Sequence, residues 1–154
     1  MRIYYNDEEQ FPGQFALWRA NTERQIRGPN GQAVLRELEA ALVALPEKRL
    51  VMGAIAKDGH VCTVGLLLVL KRTRAGMTHA EAVQQLEQEY GDDDEPTDDI
   101  ATREGVVPNL VAWRLVELND ILLDDATPEA RYEFVLTWVR RKLCMDEGQI
   151  HHDW

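Results

Sequence analysis

The chain has 154 residues, 45% hydrophobic and 29% charged, with 17 basic and 27 acidic side chains and a formal net charge of −10 at pH 7. This composition excludes a disordered polypeptide and fits one globular domain that buries about two-thirds of its unfolded surface without metal or disulfide support. The charge disfavours direct nucleic-acid binding and attachment to an anionic membrane, both of which need a basic surface, and suits either a basic protein partner or plain solubility.

In chain order, Phe11 to Ile26 predicts a first helix, with Phe15, Trp18, Thr22 and Ile26 on one face and Arg19, Glu23, Arg24 and Arg27 away from it. Gly28-Pro29-Asn30-Gly31 ends that helix and turns the chain. Gln32 to Leu45 predicts a second helix, its apolar stripe made of Val34, Leu38, Ala41, Leu42 and Leu45, stopped by Pro46. Leu50 to Ile55 and His60 to Val64 flank Asp58-Gly59, the pair that a type I′ hairpin turn favours, so a small β-hairpin is expected around residues 49–64. A lone hairpin is marginal in water and needs helices behind it.

Gly65 to Arg74 then reads as a buried helix with a basic exit, Lys71-Arg72-Thr73-Arg74. Thr78 with Glu81 is the capping-box pattern for a helix to Tyr90, its stripe being Ala80, Val83, Leu86 and Tyr90. Asp92 to Gly105 holds Asp92, Asp93, Asp94, Glu95, Asp98 and Asp99, and dense like charge predicts a mobile, solvated loop. Asn109 caps a broadly apolar helix to Leu123, with Val111, Leu115, Leu118 and Leu122 on one side and Leu110, Trp113, Val116 and Ile121 widening the face. Thr127-Pro128-Glu129 starts a last helix to about Cys144, carrying Phe134, Val135, Leu136, Trp138, Val139 and Leu143 and ending in Arg140-Arg141-Lys142. The expected fold is mainly α: one domain over residues 1–146, about six helices with the hairpin against them, and a mobile tail over 147–154.

The charge is unevenly placed. Residues 1–80 carry 8 acids and 11 bases, residues 81–154 carry 19 acids and 6 bases, and Glu81 to Asp99 has nine acids with no base. An acidic surface built from Asp92, Asp93, Asp94, Glu95, Asp98, Asp99, Glu117, Asp120, Asp124 and Asp125 is the expected partner-binding region. Neutralising the six acids between Asp92 and Asp99 together is expected to weaken binding and flatten its salt dependence.

No catalytic, cofactor or metal residues are assigned. The acidic loop fails the calcium-loop pattern, because counting from Asp93 the sixth residue is Asp98 rather than glycine and the fourth is Pro96. The tail acids and histidines, Glu147, His151, His152 and Asp153, lack the spacing of a structural zinc site. His60 and His79 lie in no nucleophile–base motif, and the phosphate-loop, dinucleotide and hydrolase signatures are missing. A small enzyme or metal-dependent protein with scattered ligands is the alternative. Cys62 and Cys144 sit in apolar runs and read as buried thiols. Trp18, Trp113 and Trp138 read as core, and Trp154 as a terminal anchor or a disordered end. The two basic segments at helix ends read as capping charges; convergence of the two would make a phosphate-binding patch. No stretch is long and apolar enough for a membrane span, and no secretory signal pattern opens the chain, so a cytoplasmic protein is expected. Self-association stays open.

Three blocks carry a resemblance. Leu35 to Leu50, with its helix followed by Pro46-Glu47-Lys48-Arg49, the block Asp58 to Gly65, and Thr127 to Arg131 with Trp138-Val139 resemble small proteins of tailed phages and prophages. The resemblance spans roughly residues 30–145. It departs at Leu66-Leu67, where a small residue is expected, and at the acidic stretch 91–99. It implies phage or prophage origin and residence in the cytoplasm of a bacterial host, and carries no assigned activity or functional residues. Together with the charge asymmetry it leads to a non-enzymatic accessory protein that binds a basic host protein, in one concrete form an anti-CRISPR-like inhibitor of a nucleic-acid-binding defence complex.

Overall fold

The structure is a computed structural model that describes residues 12–91, 95–121 and 125–143. Its described part holds seven α-helices, one small antiparallel hairpin and a π turn, as the helical reading expects. Helix α1 spans Pro12–Arg27 and α2 spans Pro29–Ala44, so a single residue, Gly28, makes the corner between them. The second helix therefore begins three residues earlier than the sequence pattern suggests: Pro29, at the first helical position, gives up only an N–H that would have no partner there. The corner is this tight because of Gly31. A Cβ at Gly31 would fall 2.0 Å from the Gln25 carbonyl oxygen and 2.8 Å from that of Ile26, so no other residue lets α2 cross α1 this closely.

The expected stripe of α2 is buried at Val34, Leu38, Leu42 and Leu45, and Leu35 joins it. This helix packs on α1, on α3 (Thr63–Arg74) and on α7 (Pro128–Leu143). Helix α3 is central: every residue from Thr63 to Val69 is buried, which is why its sequence shows no amphipathic period.

The hairpin is shorter than expected. Strands β1 (Ala56–Lys57) and β2 (His60–Val61) pair Ala56 with Val61 and Lys57 with His60. Asp58 and Gly59 both have positive φ, 53° and 82°, the signature of the type I′ turn their sequence favours. Two causes shorten the strands. Gly53 at φ 76° breaks the run from Leu50 to Ile55, leaving only isolated bonds such as Val51 N–H to the Val61 carbonyl, 3.0 Å. On the return side, the Cys62 sulfur accepts the Gly65 N–H at 3.3 Å and caps α3, so Thr63 and Val64 are already helical. Gly65 is needed there too, since a Cβ would sit 2.1 Å from the Ile55 carbonyl oxygen.

Helix α4 spans His79–Tyr90 with the full capping box: Thr78 Oγ1 accepts from Glu81 N–H at 3.1 Å and Glu81 accepts from Thr78 N–H at 3.3 Å. Its buried face is Ala82, Val83, Leu86 and Tyr90; Ala80, expected inside, is exposed. The acidic segment is not wholly a loop. Thr97–Arg103 forms helix α5, with Ile100 and Ala101 fully buried against α6. Two apolar residues on one face and acids in the first turn, where the helix dipole favours them, offset the repulsion that the charge run implies.

Helix α6 is Asn109–Val116, and Pro108 rather than Asn109 occupies its N-cap position. The expected continuation to Leu123 instead becomes a π turn over Glu117–Ile121, and Leu122 and Leu123 lie outside the described residues. Helix α7 begins as expected, with Thr127 Oγ1 accepting from Ala130 N–H at 3.1 Å. One continuous core joins α2, α3, α4, α6 and α7 through Leu38, Leu42, Leu68, Leu86, Leu115 and Val135, among others. A satellite forms where Trp18 meets Trp113 edge-on, ring centres 4.4 Å apart, beside Leu110. Among the described residues no helix is long and apolar enough to cross a membrane.

Candidate functional site

The acidic half is joined to the basic exit of α3. Lys71 donates to the Glu104 carbonyl at 2.8 Å and to its carboxylate at 3.1 Å. Arg72 spans Glu104 at 3.1 Å, Glu89 at 3.0 Å and Gln85 at 2.7 Å. The Tyr90 hydroxyl donates to Glu104 at 2.7 Å, and Arg103 reaches both Glu95 and the Tyr90 oxygen. Partial burial alone would raise the Glu104 pKa, but hydrogen bonds from Tyr90, Lys71 and Arg72 outweigh it and hold the carboxyl at about 2. The same contacts raise Arg72 above its ordinary value against the opposing effect of burial. Burial, reinforced by Glu104, raises the Tyr90 hydroxyl.

The predicted acidic surface therefore divides. Glu95 is half-buried and bonded to Arg103 at 2.7 Å, Asp98 is buried on the inner face of α5, and Asp99 is exposed. Glu117 belongs to no surface: it is 4% exposed and paired with Arg114. Asp120 is half-buried and accepts from Gly53 N–H at 3.3 Å and Asn119 at 2.6 Å. Asp125 is exposed. Asp92, Asp93, Asp94 and Asp124 lie outside the described residues, as do Cys144 and the tail from Glu147.

The π turn is a hub of buried polar contacts. Asn119, 2% exposed, accepts from Thr63 N–H at 3.0 Å and Thr63 Oγ1 at 2.7 Å, and donates to the Val51 carbonyl at 2.8 Å. Buried Arg131 of α7 donates to the Asn119 carbonyl at 2.6 Å. A π turn adds one residue per turn, which rotates Asn119 inward to tie α3, the 50–53 segment and α7 together. A second buried set lies between α1, α6 and α7. Lys142 Nζ is 3.1 Å from Glu23, and Lys142 and Arg114 stand 5.9 and 5.8 Å from the Trp138 ring. Burial pulls Arg114 down to about 10, with Arg19 and Arg141 adding to the effect against the pull of Glu23. Glu23, expected on the outer face of α1, is thus an interior residue, and Lys142 is not a free capping charge.

The two basic segments do not converge. Arg74 pairs with Glu37 and Arg140 with Glu39, each at 3.1 Å, and residues two apart on α2 point about 200° apart, so the two arginines hold opposite flanks of that helix. Cys62 is a buried free thiol, pushed up to about 12 by burial, and its place is structural.

What sequence reasoning missed is that the two described histidines share a cavity. His60 and His79 line one depression of about 110 Å³ with Glu47 and Arg49, and His79 also lines an adjoining apolar depression of about 120 Å³. The histidines are nineteen positions apart in the chain, and the packing of the hairpin on α4 brings them together. Among the described residues no cluster of three histidine, cysteine or carboxylate side chains is placed to hold a metal ion. Comparison with known proteins gives no match: no family model, no curated protein and no solved structure is similar to this chain.

Proposed function

We propose that this chain is a non-enzymatic accessory protein of phage or prophage origin that binds a basic host protein in the bacterial cytoplasm and occludes its working surface. An inhibitor of a nucleic-acid-binding defence complex, anti-CRISPR-like in its action, is the concrete form. The observation that carries the reading is the way the acidic half is seated. Lys71, Arg72 and Arg103 hold the carboxylates of Glu89, Glu95 and Glu104, so α4 and α5 stand on a fixed base. Glu81 and Asp99 are exposed on those two helices, and Asp92, Asp93 and Asp94 fall between them in sequence. A rigid base under exposed acids lowers the ordering cost of meeting a basic groove. Opposite charge speeds encounter and makes it salt-dependent.

The test uses the untagged chain as bait in host lysate at low and high salt, beside a variant with Asp92, Asp93, Asp94 and Asp99 all changed to Asn. These four leave the internal Glu95 and Glu104 pairs intact. A stoichiometric basic partner, lost at high salt and lost from the variant, is the expected result. Equal capture by both chains removes the acidic face from the reading, and no stoichiometric partner at either salt concentration removes protein binding itself.

A further inference from the structure

The cavity between the end of α2, the hairpin turn and the start of α4 has two chemically different lobes. One is polar: Glu47, Arg49 and His60 line it, in about 110 Å³. The other is apolar, lined by Ala44, Leu66 and Val69 among others, in about 120 Å³. Leu45 and His79 belong to both, so the lobes share a wall.

The polar lobe holds more donors than its own acceptors satisfy. The His79 imidazole is half-buried and has no hydrogen-bond or ion-pair partner among the described residues. Glu47 sits across Arg49 and His60, but loosely: its Oε2 is 3.9 Å from Arg49 Nη1 and 3.5 Å from His60 Nε2, and its side chain is 63% exposed. Arg49 Nε lies 2.9 Å from Glu129 Oε1 yet lacks the alignment of a hydrogen bond. An exposed carboxylate 3.5–3.9 Å from an imidazole and a guanidinium makes a weak contact that another anion can displace.

We propose that this two-lobed cavity is a binding site for a small amphiphilic carboxylate. Its head takes the place of Glu47 between Arg49 and His60, and its short apolar tail passes His79 into the apolar lobe. The size is consistent: an apolar cavity of about 150 Å³ holds benzene, so the second lobe takes a tail of roughly five carbons. Arginine supplies a planar fork for the carboxylate and the histidines supply further N–H donors. The site is on the opposite end of α4 from the 91–99 acids and is independent of the protein-binding reading.

The experiment is a titration with hexanoate, followed through the His60 and His79 ring resonances and the Arg49 Nε–H resonance by NMR. Acetate and hexanol serve as the head alone and the tail alone. Saturable shifts at all three residues are expected with hexanoate, with affinity at least ~10-fold above that of either fragment. Arg49→Gln should weaken hexanoate about 10-fold, and Ala44→Phe, an exposed position that closes the apolar lobe, should abolish the gain over acetate. Glu47→Gln, which removes the resident carboxylate without touching the core, should tighten binding about threefold. Hexanol binding as well as hexanoate, a Glu47→Gln variant that binds no tighter, or the absence of saturable shifts at these residues would overturn the assignment. N-acetyl-leucine and its amide form the last arm. Preference for the free acid over the amide supports the carboxylate head and extends the site to peptide C-termini, whereas equal binding of the two overturns it.

Discussion

The Glu23–Lys142 pair offers the sharpest test of how this fold treats buried charge. Both side chains are about 95% buried or more, and Lys142 Nζ lies 3.1 and 3.4 Å from the two carboxylate oxygens. At an effective dielectric of about 20, two unit charges 3.1 Å apart attract by about 5 kcal/mol, which desolvation of both groups largely offsets. Removing one partner removes the attraction and leaves the other's desolvation in place. Lys142→Met therefore leaves Glu23 buried with only the longer-range pull of Arg114, and costs about 3 kcal/mol, near the low end for a broken buried pair. Glu23→Leu combined with Lys142→Met removes both charges and keeps the volume, so the double variant should fall within about 1 kcal/mol of the parent. The assay is urea unfolding followed by tryptophan fluorescence, with Trp138 5.9 Å from Lys142 as the local reporter. A coupling energy of about 2 kcal/mol or more should close the cycle. If Lys142→Met alone costs under about 1 kcal/mol, the pair is not a closed interior contact and the reasoning fails.

Glu104 links stability to pH. Its folded carboxyl is held at about 2 against an ordinary 4.5, so the stabilisation is complete above about pH 5 and is lost as pH falls through 4.5 toward 2. Screened as it is at a surface-lining position, it is worth about 1–2 kcal/mol, and the stability gap between the parent and Glu104→Gln should close between pH 5 and 2; a gap that persists at pH 2 refutes it. Asn119→Ala removes four side-chain hydrogen bonds, two of them fully buried, and orphans the Thr63 N–H and Val51 carbonyl, which should cost about 3 kcal/mol in chemical denaturation and raise amide exchange at Thr63. Cys62, 4% exposed and with its thiol pushed up to about 12, should resist a thiol reagent at pH 8 in the native state and react at an ordinary rate in urea; fast native labelling at Cys62 would show that the α3 cap opens.

The helical frame was readable from residue order because its signals are local. The α2 stripe, the Thr78–Glu81 box, the Asp58-Gly59 turn and the Thr127-Pro128 start each depend on neighbours within a few positions, and each appears where those neighbours place it. The failures share a different cause. Gly53 ending the strand and the π turn after Val116 are coupled to partners 67 and 68 residues away, through the Gly53 bond to Asp120 and the Asn119 bond to Val51. Charge misled in the same way. Glu23, Asp98, Glu117 and Lys142 read as solvated because of their type, yet all four are buried, and for Glu23 the compensating cation comes from the other end of the chain. The His60–His79 cavity had no local signal, since the turn before His60 and the cap before His79 each describe their own element and only the packing of the hairpin on α4 unites the two.

The asymmetry of charge along the chain is in part an internal feature. Lys71 and Arg72 come from the basic half, and Glu89 and Glu104 from the acidic half; their contacts tie α3 to α4 and to the corner after α5. Glu37 and Arg74, Glu39 and Arg140, and Glu23 and Lys142 add three further ion pairs to the helix packing, two of them joining the halves. Internal pairing withdraws acids and bases together, so it leaves the net charge of −10 unchanged and narrows only which acids a partner meets, because several of the 27 are engaged inside the molecule. What a basic partner would meet is the narrower set on the outer faces of α4 and α5. Salt dependence of binding should accordingly follow that set: neutralising Asp99 with Asp92, Asp93 and Asp94 should reduce it, whereas neutralising Glu104 should lower stability and leave the salt slope of the folded protein unchanged.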